Sequence, residues 1–249
     1  MIATIHKGNN PFTVDFSKPI DISIPVRNIE DATRAWYVPA ASIEPVRMGD
    51  WVGSVEAGNS VNFRNVFFNP HAHGTHTECV GHISKENVSI NQHLKQFMFL
   101  AAVISVEPQN VNGDSVITNE QIQQLLKNYQ KLDALVIRTI PNLETKLHQN
   151  YSDTNPAFID VDCISILNDL GVKHLLIDTP SVDKEKDDGE LLFHKAFWEY
   201  PNNIQYDKTI TELVYVDAQV QDGMYLLNLQ IGSIENDAAP SKPILYAIK

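Results

Sequence analysis

Four of the nine histidines fall in one short segment, HAHGTHTECVGH, as His71, His73, His76 and His82, and Glu78 lies among them. Imidazole nitrogens and carboxylate oxygens are common ligands for zinc and other divalent cations, and a catalytic site leaves one coordination position open for water. In extended backbone, side chains two residues apart share a face. His76, Glu78 and His82 therefore point one way if the backbone stays regular, whereas His71 and His73 have the opposite parity. Gly74 can realign them, because glycine accepts the dihedrals of a bulge or tight turn. A lone histidine is ordinarily a surface residue or a satisfied core group. A cluster with a carboxylate at matching parity favours a functional site. Cys79 points away from Glu78 and reads as small packing.

The elements that must hold this segment are short. The first 70 residues are rich in apolar runs and turn formers (IDISIPV, RAWYVPAASI, SVNFRNVFFNP) and read as strands and ordered loops. The run FMFLAAVISV, 97–106, is a buried strand stopped by Pro108. Thr118 opens a helix with Gln121 in the reciprocal capping position, followed by Ile122, Leu125, Leu126 and Tyr129 at helical spacing. A strand follows over 135–140. Asp160 caps a second helix with apolar residues Ile164, Leu167 and Leu170, which Gly171 ends. A short strand over 175–177 enters the loop Asp178-Thr179-Pro180-Ser181. The tail returns to strands over 212–216, 224–230 and 244–248. These elements predict a single mixed α/β domain over residues 1–249, with a β core flanked by helices, rather than a doubly wound parallel sheet.

Composition narrows the function. The 249 residues are 43% hydrophobic and 20% charged, with a net charge of -12. That acidity and the lack of a basic patch argue against nucleic acid as a partner. No apolar run approaches the roughly 20 residues that span a membrane, and the first residues lack the pattern of a signal peptide. Two cysteines make no disulfide framework, so the expected location is cytoplasmic. Phosphate-binding glycine loops are absent, leaving nucleotide chemistry without support.

At the histidine segment the chain resembles the cyclase superfamily, which includes bacterial kynurenine formamidase and isatin hydrolase and carries the hallmark H-x-G-T-H-x-D-x-P-x-H. Gly74, Thr75, His76 and His82 match it, and Glu78 takes the aspartate slot. Ala72 replaces the first histidine, and Val80 the proline. Asp15-Phe16-Ser17 resembles an early family element, LIDTPSVD (176–183) the loop before a second ligand pair, and Ala239-Pro240-Ser241-Lys242 the closing element. His194 and Glu212 occupy the places of that pair, with an insertion around 200–207.

The resemblance implies a barrel-like β core of the swivelling β/β/α kind. It also implies one or two divalent ions, zinc first and manganese second, held by His76, Glu78, His194 and Glu212. His71 or His73 supplies the nitrogen missing at Ala72; His71 is preferred, because it precedes the glycine with room for a backbone adjustment. A metal-activated water would attack an amide-type carbonyl of a small-molecule substrate, with His82 passing a proton to the leaving nitrogen. Candidate substrates are an aryl formamide such as N-formyl-kynurenine, of the kynurenine pathway, a cyclic amide such as isatin, or a lactone or ester. A non-catalytic binding protein on the same scaffold is the reading from another class. Trp36, Trp51 and Phe68 are either an aromatic pocket or plain core. The resemblance also implies a homo-oligomer, a dimer or tetramer.

Overall fold

The computed structural model describes residues 1–7 and 10–249. Nine strands form its central sheet: β1 (Ile20–Asp21), β2 (His76–Glu78), β3 (Met98–Val106), β4 (Ala134–Thr139), β5 (His174–Ile177), β6 (Thr209–Glu212), β7 (Gly223–Asn228), β8 (Ala238–Pro240) and β9 (Ile244–Ala247). Their order is β8-β2-β6-β5-β4-β3-β7-β9-β1. The middle four, β6 to β3, run parallel. All six residues of β4 are buried, as expected of a parallel strand covered on both faces. Antiparallel strands complete both sides, β2 and β8 on one and β7, β9 and β1 on the other.

The sheet curls towards closure. Beyond β1, Ser23 bridges Val214 just past β6, and Tyr215 N–H donates to Ile22 O at 2.9 Å. Ile24 then meets Thr75 twice: Thr75 N–H donates to Ile24 O at 2.9 Å, and Ile24 N–H donates to Thr75 Oγ1 at 2.7 Å. One edge of the sheet is thereby tied beside the strand that carries His76. The result is the mixed α/β fold with a near-barrel β core that the sequence predicts.

Helices cover the sheet where the caps place them. At Asn119–Leu126, Thr118 Oγ1 accepts from Gln121 N–H while Gln121 Oε1 accepts from Thr118 N–H, so the capping box is complete. Asp160 caps a single 3-10 turn, Val161–Cys163, which runs on into the helix Ile164–Leu170; left-handed Gly171 (φ 77°) ends it. Ile122, Leu126, Leu167 and Leu170 join the core built on β3, β4 and β5.

One strand departs from expectation. The segment expected over 212–216 is β6, and it stops at Glu212. Leu213 turns left-handed (φ 54°) and its N–H leaves the ladder to donate to Thr179 O. The strand instead starts at Thr209 and is wholly buried, so Glu212 is its last residue.

Gly74 shows why this position needs glycine. Its φ is +71°, and a Cβ there would sit 2.5 Å from Ile24 O. Gly58 also has positive φ (+86°) but faces open space. Gly58→Ala is expected to cost about 1 kcal/mol, the dihedral strain alone. Gly74→Ala adds a clash with fixed backbone and should cost roughly 2–4 kcal/mol. Urea unfolding midpoints at unchanged m-value check the difference.

Candidate metal centre

Strand β2 is only three residues long, held between β6 and β8. Its register sets Glu212 directly opposite His76, and His76 Nε2 lies 3.2 Å from Glu212 Oε2. Glu78 shares the His76 face by strand alternation. Thr77 points the other way and its hydroxyl meets Thr211 at 2.8 Å. His76, Glu78 and Glu212 are all buried, and Glu212 is fixed by Val182 N–H, which donates to Oε1 at 3.1 Å.

His71 enters from the turn before Gly74. Its Nδ1 faces Glu78 Oε2 at 2.9 Å, and its Nε2 meets Asp237 Oδ2 at 2.7 Å. Asp237 is set there by backbone, because Cys79 N–H donates to its carbonyl at 3.0 Å, just ahead of β8. His73 turns away: Asn69 N–H donates to its Nδ1 at 2.9 Å and its Nε2 meets Pro39 O at 2.9 Å. Both its nitrogens are satisfied by backbone, so His73 is a structural histidine and only His71 faces the cluster.

His194 arrives on the helix Leu192–Phe197. Asp183 takes three hydrogen bonds there, from Phe193 N–H (2.8 Å), His194 N–H (3.1 Å) and His194 Nδ1 (2.6 Å). The opposite ring nitrogen, Nε2, faces Glu78 Oε1 at 3.0 Å and Glu212 Oε1 at 3.9 Å. Asp183 closes its own loop, its N–H donating to Ser181 Oγ at 3.0 Å, and it also orients His194. His82 reaches the cluster by another route than strand parity. The strand ends at Glu78, and a 3-10 turn, Val80–His82, carries the ring back. It stacks on His71 at 4.2 Å between centroids, with Nδ1 3.6 Å from Asp237 Oδ2 and 31% of the side chain exposed.

Among the described residues, three buried polar atoms in this cluster have no hydrogen-bond partner: His71 Nδ1, His76 Nε2 and Glu78 Oε2. They are close, but not aligned as donor and acceptor. The same three residues offer ligand atoms all within 4.8 Å of one another, and Glu78, His82 and His194 form a second such set. Imidazole and carboxylate groups converging in this way fit a divalent cation.

Protons on two of the histidines offset part of the negative charge in the cluster. Burial opposes a charged His71, but the hydrogen bond to Asp237 and the adjacent charge of Glu78 outweigh it and raise the ring to about 10. His194 is likewise raised to about 10, burial being outweighed by Asp183 and Glu78. Burial would push Glu78 up, yet the charge of His82, the hydrogen bond with His194 and the nearness of His71 hold it well below the usual carboxylate range. Asp237 is lowered in the same way by His71 and His82. Metal binding would release these histidine protons.

A cavity of about 380 Å³ opens onto His71, His82, His194 and Glu212, with Trp36 on its wall. Trp36 is held at φ 61°, an uncommon conformation for a bulky residue. Trp51 packs instead on Phe63, and neither Trp51 nor Phe68 lines this cavity. Sequence reasoning missed Asp237. It lies 166 residues from His71, and its only local signal is its place just before the Ala-Ala-Pro segment that pairs with β2.

The family model described as Putative cyclase matches residues 14–184, a span that holds His71, His76, Glu78 and His82 and ends before His194. Kynurenine formamidase of Bacillus cytotoxicus is 29% identical over 192 residues, covering 76% of this chain and 82% of that protein. Kynurenine formamidase of Delftia acidovorans is 24% identical over 228 residues, covering 86% of this chain and 98% of that one. Among solved structures, a predicted metal-dependent hydrolase from Bacillus stearothermophilus superposes with a TM-score of 0.65 at 17% identity, covering 92% and 98% of the two chains. Isatin hydrolase A from Ralstonia solanacearum gives 0.67 at 11%, covering 92% of each. At these identities the structural likeness concerns the fold.

The Asp183 contacts predict a stability effect separate from any ion. In chelator, Asp183→Ala should lose roughly 2–4 kcal/mol of unfolding free energy, since charged hydrogen bonds go and buried donors stay; Asp183→Asn, keeping one acceptor, should lose less. Burial raises the Asp183 carboxyl, but His194 and the two backbone N–H groups outweigh it and leave it lowered. Its contribution is therefore present above about pH 4 and vanishes as pH falls through the lowered value. Urea titrations across acid pH measure this.

Proposed function

The chain belongs to the cyclase family, and on that premise we propose that it is a metal-dependent hydrolase cleaving an amide-type C–N bond, in an aryl formamide such as N-formyl-kynurenine or in a cyclic amide. The observation that carries this reading is the set of unpartnered buried atoms on His71, His76 and Glu78, facing one another beside His194 and Glu212. His71, His76, Glu78, His194 and Glu212 would hold one or two ions, zinc first and manganese second. When bound, such an ion supplies Lewis acidity and lowers the pKa of a ligated water towards about 7.

The chain's own residues do the rest. Asp237 and Asp183 each engage the outward ring nitrogen of a histidine, His71 Nε2 and His194 Nδ1, which leaves the inward nitrogen for the cation and fixes the ring. Glu78 presents one oxygen to His71 and the other to His194, so it would contribute to holding either one ion or two. His82 stands at the cavity edge, partly exposed and backed by Asp237, where it can hand a proton to the departing nitrogen. Trp36 offers an aromatic wall to a planar substrate.

A homo-oligomer is part of the same reading. The strands Ser42–Pro45 and Arg64–Phe67 pair with each other away from the central sheet, and Met48, Phe63, Val66 and Phe67 are all more than half exposed nearby. Such a patch supports association with a second copy. Light scattering on the eluting protein is expected to give the mass of a dimer or tetramer.

Protein purified without chelator is expected to carry zinc or manganese stoichiometrically by elemental analysis, and His76→Ala to lose it. A panel of formamides, cyclic amides, lactones and esters should show turnover of an amide that chelator abolishes and added metal restores. His82→Ala should keep the metal and lower kcat by about 10²–10⁴. Metal-loaded protein that hydrolyses no member of the panel, or protein that binds no metal, contradicts the hydrolase reading and favours a non-catalytic binder.

A further inference from the structure

A second cavity lies at the other end of the parallel strands. The metal cluster gathers at their C-terminal ends, where β6 stops at Glu212 and β5 runs into the loop to Asp183. The second cavity, about 630 Å³, is lined by the opposite ends: Phe99 and Leu100 at the start of β3, Asp133 just before β4, and His174 at the start of β5. The hairpin formed by Ile2–Lys7 and Asn10–Asp15 adds Lys7 and Phe12 to its wall.

The chemistry of this cavity differs from that of the chain as a whole. The chain carries a net charge of -12, yet Lys7, Lys131 and Lys173 all face this one cleft. Lys7 is paired with Asp133 and Lys173 with Asp207. Lys131 has no carboxylate partner among the described residues, so one positive charge is left over. Lys7 itself is lowered, first by burial and then by the charge of Lys131. The exposed cationic groups share the cleft with Phe12, Phe16, Phe99 and Leu226, and with the polar Gln96 and the paired Asp133.

At its floor is a buried histidine with one nitrogen unused. His174 is 6% exposed, and its ring packs against Phe99 at 3.9 Å between centroids. Its Nδ1 meets Thr209 Oγ1 at 2.9 Å. The Thr209 hydroxyl makes no other side-chain hydrogen bond among the described residues, and its one available acceptor is Nδ1. Burial pushes His174 down to about 4, so the ring is neutral at pH 7. With the hydroxyl donating to Nδ1, the ring proton sits on Nε2, which has no partner among the described residues and is then a free donor in the cavity it lines.

We propose that this cleft is a binding site for a small apolar carboxylate, separate from the metal centre. Lys131 supplies the uncompensated charge at the mouth, Phe12 and Phe99 the apolar contact, and His174 Nε2–H a hydrogen bond to an acceptor atom of the ligand. A convergent polar group in a mostly apolar concavity is the usual composition of a small-molecule site. The proposal does not depend on the hydrolase reading.

The test is calorimetric titration of the full chain with 3-phenylpropionate, indole-3-acetate and octanoate, each beside its neutral amide. At least one acid is expected to bind saturably, with its amide about tenfold weaker or more, because the amide lacks the charge-assisted contact. Lys131→Glu, at an exposed position, should weaken the acid about tenfold or more and leave the amide unchanged. The ring-proton NMR signal of His174, identified by its absence in His174→Phe, should shift as acid is added. His76→Ala should bind the acid as the parent does. The proposal is overturned if no acid binds, if acid and amide bind alike, if Lys131→Glu has no effect, or if His76→Ala abolishes binding and so moves the ligand to the metal cavity. If His174→Phe does not fold, Lys131→Glu and the acid–amide comparison decide alone.

Discussion

The whole arrangement turns on the cost of burying Glu78. A carboxylate out of contact with water is expensive unless cations or donors surround it, and Glu78 is wholly buried beside His71, His82 and His194. Without an ion, protons on His71 and His194 meet that requirement only in part, because three polar atoms at the centre still lack partners among the described residues. A divalent cation would satisfy all three together. The rest of the cluster consists of groups that keep those atoms turned inward.

The fold achieves this with little regular structure. β2 has three residues, yet it is paired on both sides, and the register against β6 sets Glu212 opposite His76 without further adjustment. Closure of the sheet edge through Ile24 and Thr75 fixes the turn just before β2, where Thr75 Oγ1 also donates to Leu213 O. Leu213 is the left-handed residue that ends β6. The same few hydrogen bonds thus place both the histidine turn and the last glutamate. Asp183 and Asp237 come from loops far apart in sequence and act alike, each holding a histidine by its outer nitrogen.

Much of this was legible in the chain. The capping pair Thr118 and Gln121, the glycine stop at Gly171 and the buried runs of β3, β4 and β5 are local signals, and the structure follows them closely. His71, His76, Glu78, His194 and Glu212 also come together in space, although only the first three are neighbours in sequence. What escaped reading depends on distant contacts. Strand alternation explains His76 and Glu78 but not His82, because the strand ends before it and a 3-10 turn takes over. The end of β6 is set by Leu213 bonding to Thr179, and Asp237 meets His71 only because β8 pairs with β2; no local spacing encodes either contact. Ala72 in the slot of a family histidine left two neighbours as substitutes. They are separated only by what surrounds them: backbone groups for His73, carboxylates for His71.

The central claim is that one cation belongs between His71, His76 and Glu78. A crystal of the protein loaded with zinc, measured at the zinc absorption edge, tests it most directly. An anomalous peak about 2.0–2.2 Å from His71 Nδ1, His76 Nε2 and Glu78 Oε2 is expected, with His73 uninvolved. A peak on His73, a peak only at surface histidines, or no peak in zinc-soaked crystals would contradict it.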